Sequence, residues 1–404
     1  MPQAAVPPVG RDRLVSYRRA FSGCHGPFAF VDLSAFDRNA AALARRSSGK
    51  PIRLASKSVR VPELLKRAQS SSPIYQGVLC FSAREAVHLA RHHGLDDLVI
   101  AYPALDANAI ADVARLVSDG HSITLMVDSE AQLPPIEEAG KKSSVRVPVC
   151  LDLDVSQDYP GLRFGMFRSP LSDVNGVLRL AERIGRSPWL KLDGLMGYEG
   201  QVAGLGDAAG DPRTRAIRAL KRRAVPLIAE RRAQVVHALN RAGFALRFVN
   251  AGGTGSLESS SAEEVVTEVA MGSGLFTPTL FDAYRGFRHE PAVGFALTVT
   301  RQPARNVVTC LGGGYVASGA HGPSRLPTPF LPEGLKLLPS EGAGEVQTPL
   351  LVPPDVTLNI GDLVFFRHAK AGELCEHFNE LHAVQDGQHV TSFKTYRGEG
   401  LQFP

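Results

Sequence analysis

No apolar run in this chain of 404 residues approaches the roughly 20 that a membrane helix needs, so no membrane span and no membrane partner are expected. The first residues also lack the apolar core of a secretion signal. Met1 to Arg19 carries Pro2, Pro7, Pro8 and several arginines, and reads as a flexible arm. Cysteine is sparse: Cys24, Cys80, Cys150, Cys310 and Cys375 are odd in number and share no paired spacing, which fits a reducing, cytoplasmic setting better than a disulfide framework. Nor is there a block of one charge. The net +5 is spread along the chain, and its densest cluster, Lys221-Arg222-Arg223 through Arg231-Arg232, has helical spacing and reads as a solvated helix face, so nucleic acid is not expected as a partner. Internal repeats and low-complexity tracts are missing. So are the G-x-G-x-x-G and P-loop signatures of nucleotide sites.

What is present is a strand and helix rhythm. Short apolar runs at 52–56, 77–81, 98–101, 122–127, 145–153, 194–198, 246–250 and 267–271 read as eight buried strands, with helical stretches such as 83–92, 106–118 and 213–242 between them. Eight such alternations predict an α/β fold with a (β/α)8 TIM-type barrel. After Pro291 the texture changes to short β-like runs at 296–300, 307–311, 346–351 and 362–366, broken by Gly312-Gly313-Gly314 and a Pro-rich excursion from Pro323 to Pro339. This predicts a smaller, mostly antiparallel β domain. The expected boundaries are 27–287 for the barrel and 288–404 for the β domain, with the arm 1–26 and the first strand, 28–32, packed on the latter.

Two local patterns suggest chemistry. Lys57 follows the run Ile52 to Ala55 directly, and Pro62 can open the next helix where no backbone donor is needed. Lys57 therefore belongs on a strand-to-helix turn, the part of a parallel barrel where reacting groups collect. A lysine with restricted solvation there can form a Schiff base, although an isolated lysine is more often a solvated surface residue. The second pattern is Asn250-Ala251-Gly252-Gly253-Thr254-Gly255-Ser256, followed after the next strand by Met271-Gly272-Ser273-Gly274. Glycines let the backbone approach an anion closely. Two such turns after strands seven and eight match the usual phosphate site of a barrel, while packing turns are the plainer reading.

With Phe28-Ala29-Phe30-Val31-Asp32, the Lys57 turn, Gly161-Leu162-Arg163-Phe164-Gly165, Gly197-Tyr198-Glu199-Gly200-Gln201, the two glycine turns and Gly361-Asp362, the chain resembles pyridoxal-phosphate enzymes with an alanine-racemase-like barrel. Among these it is similar to the D-threonine aldolase and D-serine dehydratase group. The resemblance implies Lys57 as the lysine that carries pyridoxal 5′-phosphate, Gly252, Gly253, Thr254, Gly255, Ser273 and Gly274 around its phosphate, and Arg163 beside its ring. Tyr198 would stand near the ring and share in proton transfer. It further implies a lyase on a D-configured β-hydroxy amino acid, with an amino-acid racemase using Tyr315 across a homodimer as the alternative, and a non-catalytic cofactor carrier as a third reading. Relatives carry a His-x-Cys or His-x-Asp metal pair in the β domain. This chain has His368-Ala369-Lys370-Ala371-Gly372-Glu373-Leu374-Cys375-Glu376-His377 instead. His368 and Cys375, helped by Glu373 or His377, would hold manganese or zinc; without a metal, His368 and Lys370 would hold the substrate carboxylate.

Overall fold

The computed structural model describes residues 10–403. The chain forms two compact units. One takes the described residues up to Ala42 together with Ser58–Leu64 and Ser273–Gln402, and the other takes Leu43–Lys57, Leu65–Gly272 and Phe403.

Strand β1 (Phe28–Asp32) belongs to the first unit and is followed by the helix Leu33–Arg46. The second unit contains β2 (Ile52–Ala55), β3 (Tyr75–Cys80), β4 (Leu98–Ile100), β5 (Ile123–Val127), β6 (Val147–Asp152), the hairpin β7 (Gln157–Tyr159) and β8 (Leu162–Phe164), β9 (Leu190–Met196), β10 (Phe248–Ala251) and β11 (Glu268–Met271). Strands β2, β3, β4, β5, β6, β9, β10 and β11 form a closed parallel barrel, sealed where Val269 of β11 faces Ile52 of β2. Parallel strands covered on both faces need nearly continuous apolar runs, and the runs in the sequence have that character. The eight expected strands are these eight.

The exception to the apolar lining lies towards the amino ends of the strands. Arg53, 1% exposed, pairs with Glu268 at 2.7 Å and Asp97 at 3.0 Å, and Arg247 pairs with Asp97 at 2.7 Å and Asp193 at 2.8 Å. Gly77, at φ +65°, makes room for this cluster, because a Cβ there would lie 2.2 Å from Arg53 Nη1. The opposite, carboxyl-end rim is left to the turns that carry Lys57 and the glycines.

In the first unit, β12 (Val293–Ala304), β13 (Val307–Leu311), β14 (Thr328–Leu331), β15 (Lys336–Leu337), β16 (Gln347–Leu351), β17 (Leu363–Arg367), β18 (Glu380–Gln385) and β19 (Gln388–Lys394) join β1 in a nine-stranded sheet. The order β15-β16-β13-β12-β1-β18-β19 places β1 centrally, antiparallel to β12 and parallel to β18, with β17 pairing both β12 and β14. The first strand thus belongs with the later sheet, as expected. The chain passes between units at Gly272/Ser273, directly after the last barrel strand.

The expected flexible arm needs correcting in its second half. Residues 1–9 lie outside the described residues, but Arg11–Ala20 is an α-helix. Tyr17 and Phe21, four apart, are each 1% exposed in a cluster with Phe28, Phe30, Phe365 and Val384. Burying each of these large apolar side chains contributes about 1.5–3 kcal/mol, and the pair anchors the helix.

Candidate active site

All eight barrel strands run the same way, so the turns after them share one rim. Lys57 sits in the single 3-10 turn Ser56–Ser58 after β2, Tyr102 follows β4, Asp152 ends β6, Tyr198 follows β9, and Gly252–Gly255 follows β10. The exposed Lys57 Nζ donates to Tyr102 Oη at 3.0 Å and stands 5.5 Å from the centre of that ring. Arg168, from the connection after β8, places its guanidinium 5.8 Å from the Tyr102 ring and 5.2 Å from the Tyr198 ring. Among the described residues no carboxylate lies within 4 Å of that guanidinium.

These cations separate the two phenols. Burial pushes Tyr102 upward, but the charge and hydrogen bond of Lys57, with Arg168, outweigh it and leave the phenol below its ordinary range. Burial and the charge of Glu199 push Tyr198 up to about 12 despite Arg168. Tyr102 is therefore the phenol better suited to give up and recover a proton. Tyr198 stays protonated.

Asp152 is pushed up to about 7 by burial and by the charges of Asp128 and Asp154, against the pull of Arg168. A carboxyl whose folded value lies above its unfolded value contributes stability that is complete below the unfolded value and is lost as pH rises through the folded one. We therefore expect the wild type to lose more stability between about pH 4 and pH 7 than Asp152→Asn does. Urea midpoints measured across that range check this, and parallel curves for the two proteins would show that the carboxyl ionises as it does in water.

The glycine turn is held from beneath. Glu199 is 2% exposed and accepts hydrogen bonds from Ser256 Oγ at 2.5 Å, Ser260 Oγ at 2.6 Å and the Gly252 amide at 3.3 Å, while pairing with Arg232. Arg232, fully buried, also donates to the Gly197 carbonyl at 2.7 Å and pairs with Glu263. Arg46 donates to the Thr254 carbonyl at 2.7 Å. Gly252 adopts φ +91°, and a Cβ on Gly253 would come within 3.0 Å of Ala203 Cβ and 3.3 Å of Tyr198 Cε2. The Gly255 amide has no protein acceptor among the described residues, so the turn keeps a donor for an anion.

Other expected residues lie elsewhere. Arg163, on β8, is engaged by Asp154 and by Asp158 at 3.2 Å, with its guanidinium 5.1 Å from the Phe167 ring. Ser273 and Gly274 open a short helix in the first unit, where Ser273 Oγ lies 2.9 Å from Ser58 Oγ. The basic cluster is only partly a solvated face: Arg222 and Arg223 are exposed, but Lys221 and Arg232 are buried, and Arg232 is the pivot of the network under the glycine turn.

The candidate metal donors, all in the first unit, do not gather. Among the described residues no three of His368, Glu373, Cys375 and His377 bring ligand atoms together. Cys375 donates to the Val59 carbonyl at 3.4 Å, and burial pushes its thiol up to about 12. Glu373 is occupied by Ser318 and, at 3.1 Å, by Lys370. The His377 ring lies tilted against that of Tyr315, their centres 5.1 Å apart. Burial pushes His368 down to about 3, leaving a neutral ring.

Sequence reasoning missed Tyr102, Asp152 and Arg168. The first two had a positional signal, since each stands at the carboxyl end of an expected strand. Arg168 had none, because its place depends on the path of a loop.

Comparison with known proteins bears on the family and the fold. Residues 31–279 match the family described as alanine racemase, N-terminal domain. A 3-hydroxy-D-aspartate aldolase of Paracoccus denitrificans (strain Pd 1222) is 26% identical over 276 residues, 65% of this chain but only 62% of that relative's length. The crystal structure of D-threonine aldolase from Filomicrobium marinum aligns at a TM-score of 0.79 with 19% identity, covering 93% of this chain and 96% of that one. D-threo-3-hydroxyaspartate dehydratase from Delftia sp. HT23 aligns at 0.72 with 20% identity, over 91% and 97% respectively. These two likenesses speak to fold, whereas the match over residues 31–279 speaks to descent: the chain belongs to the family of the alanine racemase N-terminal domain.

Proposed function

We propose that the protein is a pyridoxal-phosphate-dependent lyase acting on a small D-configured β-hydroxy amino acid, by aldol cleavage to glycine and an aldehyde or by dehydration to an oxo acid and ammonia. The observation that carries this reading is the Lys57–Tyr102 pair on the barrel rim, 3.0 Å apart, with Arg168 over the Tyr102 ring. The names of the relatives, two aldolases and a dehydratase of D-hydroxy amino acids, support it.

The residues present fit pyridoxal phosphate, the cofactor of this family. Lys57 would hold its aldehyde carbon, and the Gly252–Gly255 turn its phosphate. We assign the cation beside it to Arg168 rather than Arg163, whose guanidinium is already engaged by two aspartates. When bound, the cofactor supplies the electron sink for whichever bond at the substrate Cα breaks. The protein must then manage protons. Aldol cleavage needs an acceptor for the β-hydroxyl proton and a donor that returns one proton to Cα. Lys57 Nζ and Tyr102 Oη, within hydrogen-bond reach of each other, hold such a proton between them, and Tyr198 remains a donor.

The expected metal pair, His368 with Cys375, does not fit a metal as placed, and no step is derived through one. Five free cysteines support a reducing, cytoplasmic setting, and we take the working form to be a homodimer, which light scattering at catalytic concentration reads directly.

The deciding experiment offers D- and L-β-hydroxy amino acids to the purified holoenzyme before and after thorough chelation, assaying aldehyde, ammonia and optical rotation separately. Aldehyde or ammonia released only from D substrates supports the lyase. Racemisation without either product would overturn it, and activity lost on chelation but restored by manganese or zinc would show that other donors complete a metal site.

A further inference from the structure

A second site lies away from the Lys57 rim. The helix Ala83–His93 starts at Ser82 just past β3, on the carboxyl-end side of the barrel, and runs back towards the other side. Its second half carries three histidines, His88, His92 and His93. We propose that these side chains form a binding site for one divalent transition-metal ion of the zinc, nickel and copper class.

Spacing is the first argument. His88 and His92 are four apart, so both rings project from one face of the helix, the arrangement by which helical histidine pairs bind zinc. Their ring centres are 5.2 Å apart. Geometry is the second and independent argument. His93, the last helical residue, turns its ring towards His88 so that the two Nε2 atoms stand 3.1 Å apart. With zinc-to-nitrogen bonds of about 2.0–2.1 Å at a tetrahedral angle, two ligand nitrogens stand roughly 3.3 Å apart. The pair is thus already near the separation a shared metal imposes, and His92, one helical turn from His88, is the next imidazole on that face.

The surroundings favour a cation. The helix ends at Gly94 in the left-handed conformation (φ 63°), so the histidines occupy its last two turns, where the unsatisfied carbonyls carry partial negative charge. Arg91, between His88 and His92 and beside the latter, is held by Asp112 at 2.8 Å. The Phe403 ring, 5.6 Å from His88, walls one side with apolar surface. Imidazole donors select the borderline metals over magnesium or calcium.

The test uses metal-depleted holoenzyme, with zinc chloride as the probe. Calorimetric titration and metal analysis after dialysis compare the wild type with His88→Ala/His93→Ala, and with His93→Cys, which keeps a donor. The wild type should take up one equivalent of zinc more than the double variant, the affinity of that equivalent falling by more than about 100-fold on loss of the pair. His93→Cys should retain it, and the visible cofactor spectrum should be the same in all three. A difference spectrum with cobalt(II), present in the wild type and missing in His92→Asn, gives a second reading that does not require the double variant to fold. Equal zinc uptake by wild type and double variant, binding only at millimolar zinc, or a His93→Cys protein as poor as the double variant would each overturn the site.

Discussion

Lys57→Ala should remove the visible cofactor absorption of the purified protein and lower turnover by ~10⁴-fold or more, the order seen when an enzyme loses a group that acts covalently. The residue has two tasks that no neighbour can take over. In the proposed reading it would supply the amine that holds the cofactor, and its Nζ donates to Tyr102 Oη at 3.0 Å. Reduction of the wild type with borohydride should fix the cofactor to the single peptide containing Lys57. Because the side chain is exposed, the unfolding free energy of the cofactor-free variant, read from urea titration, should stay within about 0.5 kcal/mol of that of the cofactor-free wild type. Labelling that maps to another lysine would move the reactive centre off the β2 turn altogether.

Glu199→Gln should destabilise the barrel unit by about 3–5 kcal/mol, the range for breaking a buried ion pair and leaving its partner charged. The Arg232 guanidinium is fully buried and Glu199 is 3% exposed at its side chain, so solvent cannot compensate. The amide that replaces the carboxylate also brings donors to a place where Ser256, Ser260, Gly252 and Arg232 already donate. Loss of order in the turn should also weaken cofactor retention during dialysis, because Glu199 grips Gly252 and Ser256 on either side of Thr254. A urea midpoint equal to that of the wild type would show that the network does not hold the turn.

Much of the fold was legible because its causes are local. Each barrel strand is a short run of apolar residues closed by a turn, and burial of both faces of a parallel strand requires such a run wherever its neighbours come from. The hairpin of β18 and β19 was missed although Asp386-Gly387, at φ 51° and 73°, is a strong two-residue turn signal. The flanking strands hid it: β19 is exposed along most of its length, so its sequence lacks a buried period. The helix Arg11–Ala20 was missed because it is specified by what Tyr17 and Phe21 pack against, residues from β1, β17 and β18.

By itself the sequence determined the barrel, its order, the strand-end turn of Lys57 and the glycine turn after β10, since all of these follow from spacing along one segment. Only the tertiary structure decided which charged groups act there. Arg163 and Arg168 are five residues apart and chemically alike, yet one is neutralised by Asp154 and Asp158 while the other stands over two phenols. Arg222 and Arg232 share a helix, yet one is solvated and the other is the buried pivot beneath the glycine turn. His368 and Cys375 are close in sequence, but Cys375 is committed to the carbonyl of Val59. The reason is physical: the charge, protonation and ligand capacity of a side chain depend on desolvation and on partners within a few ångströms, and those partners are supplied by distant parts of the chain.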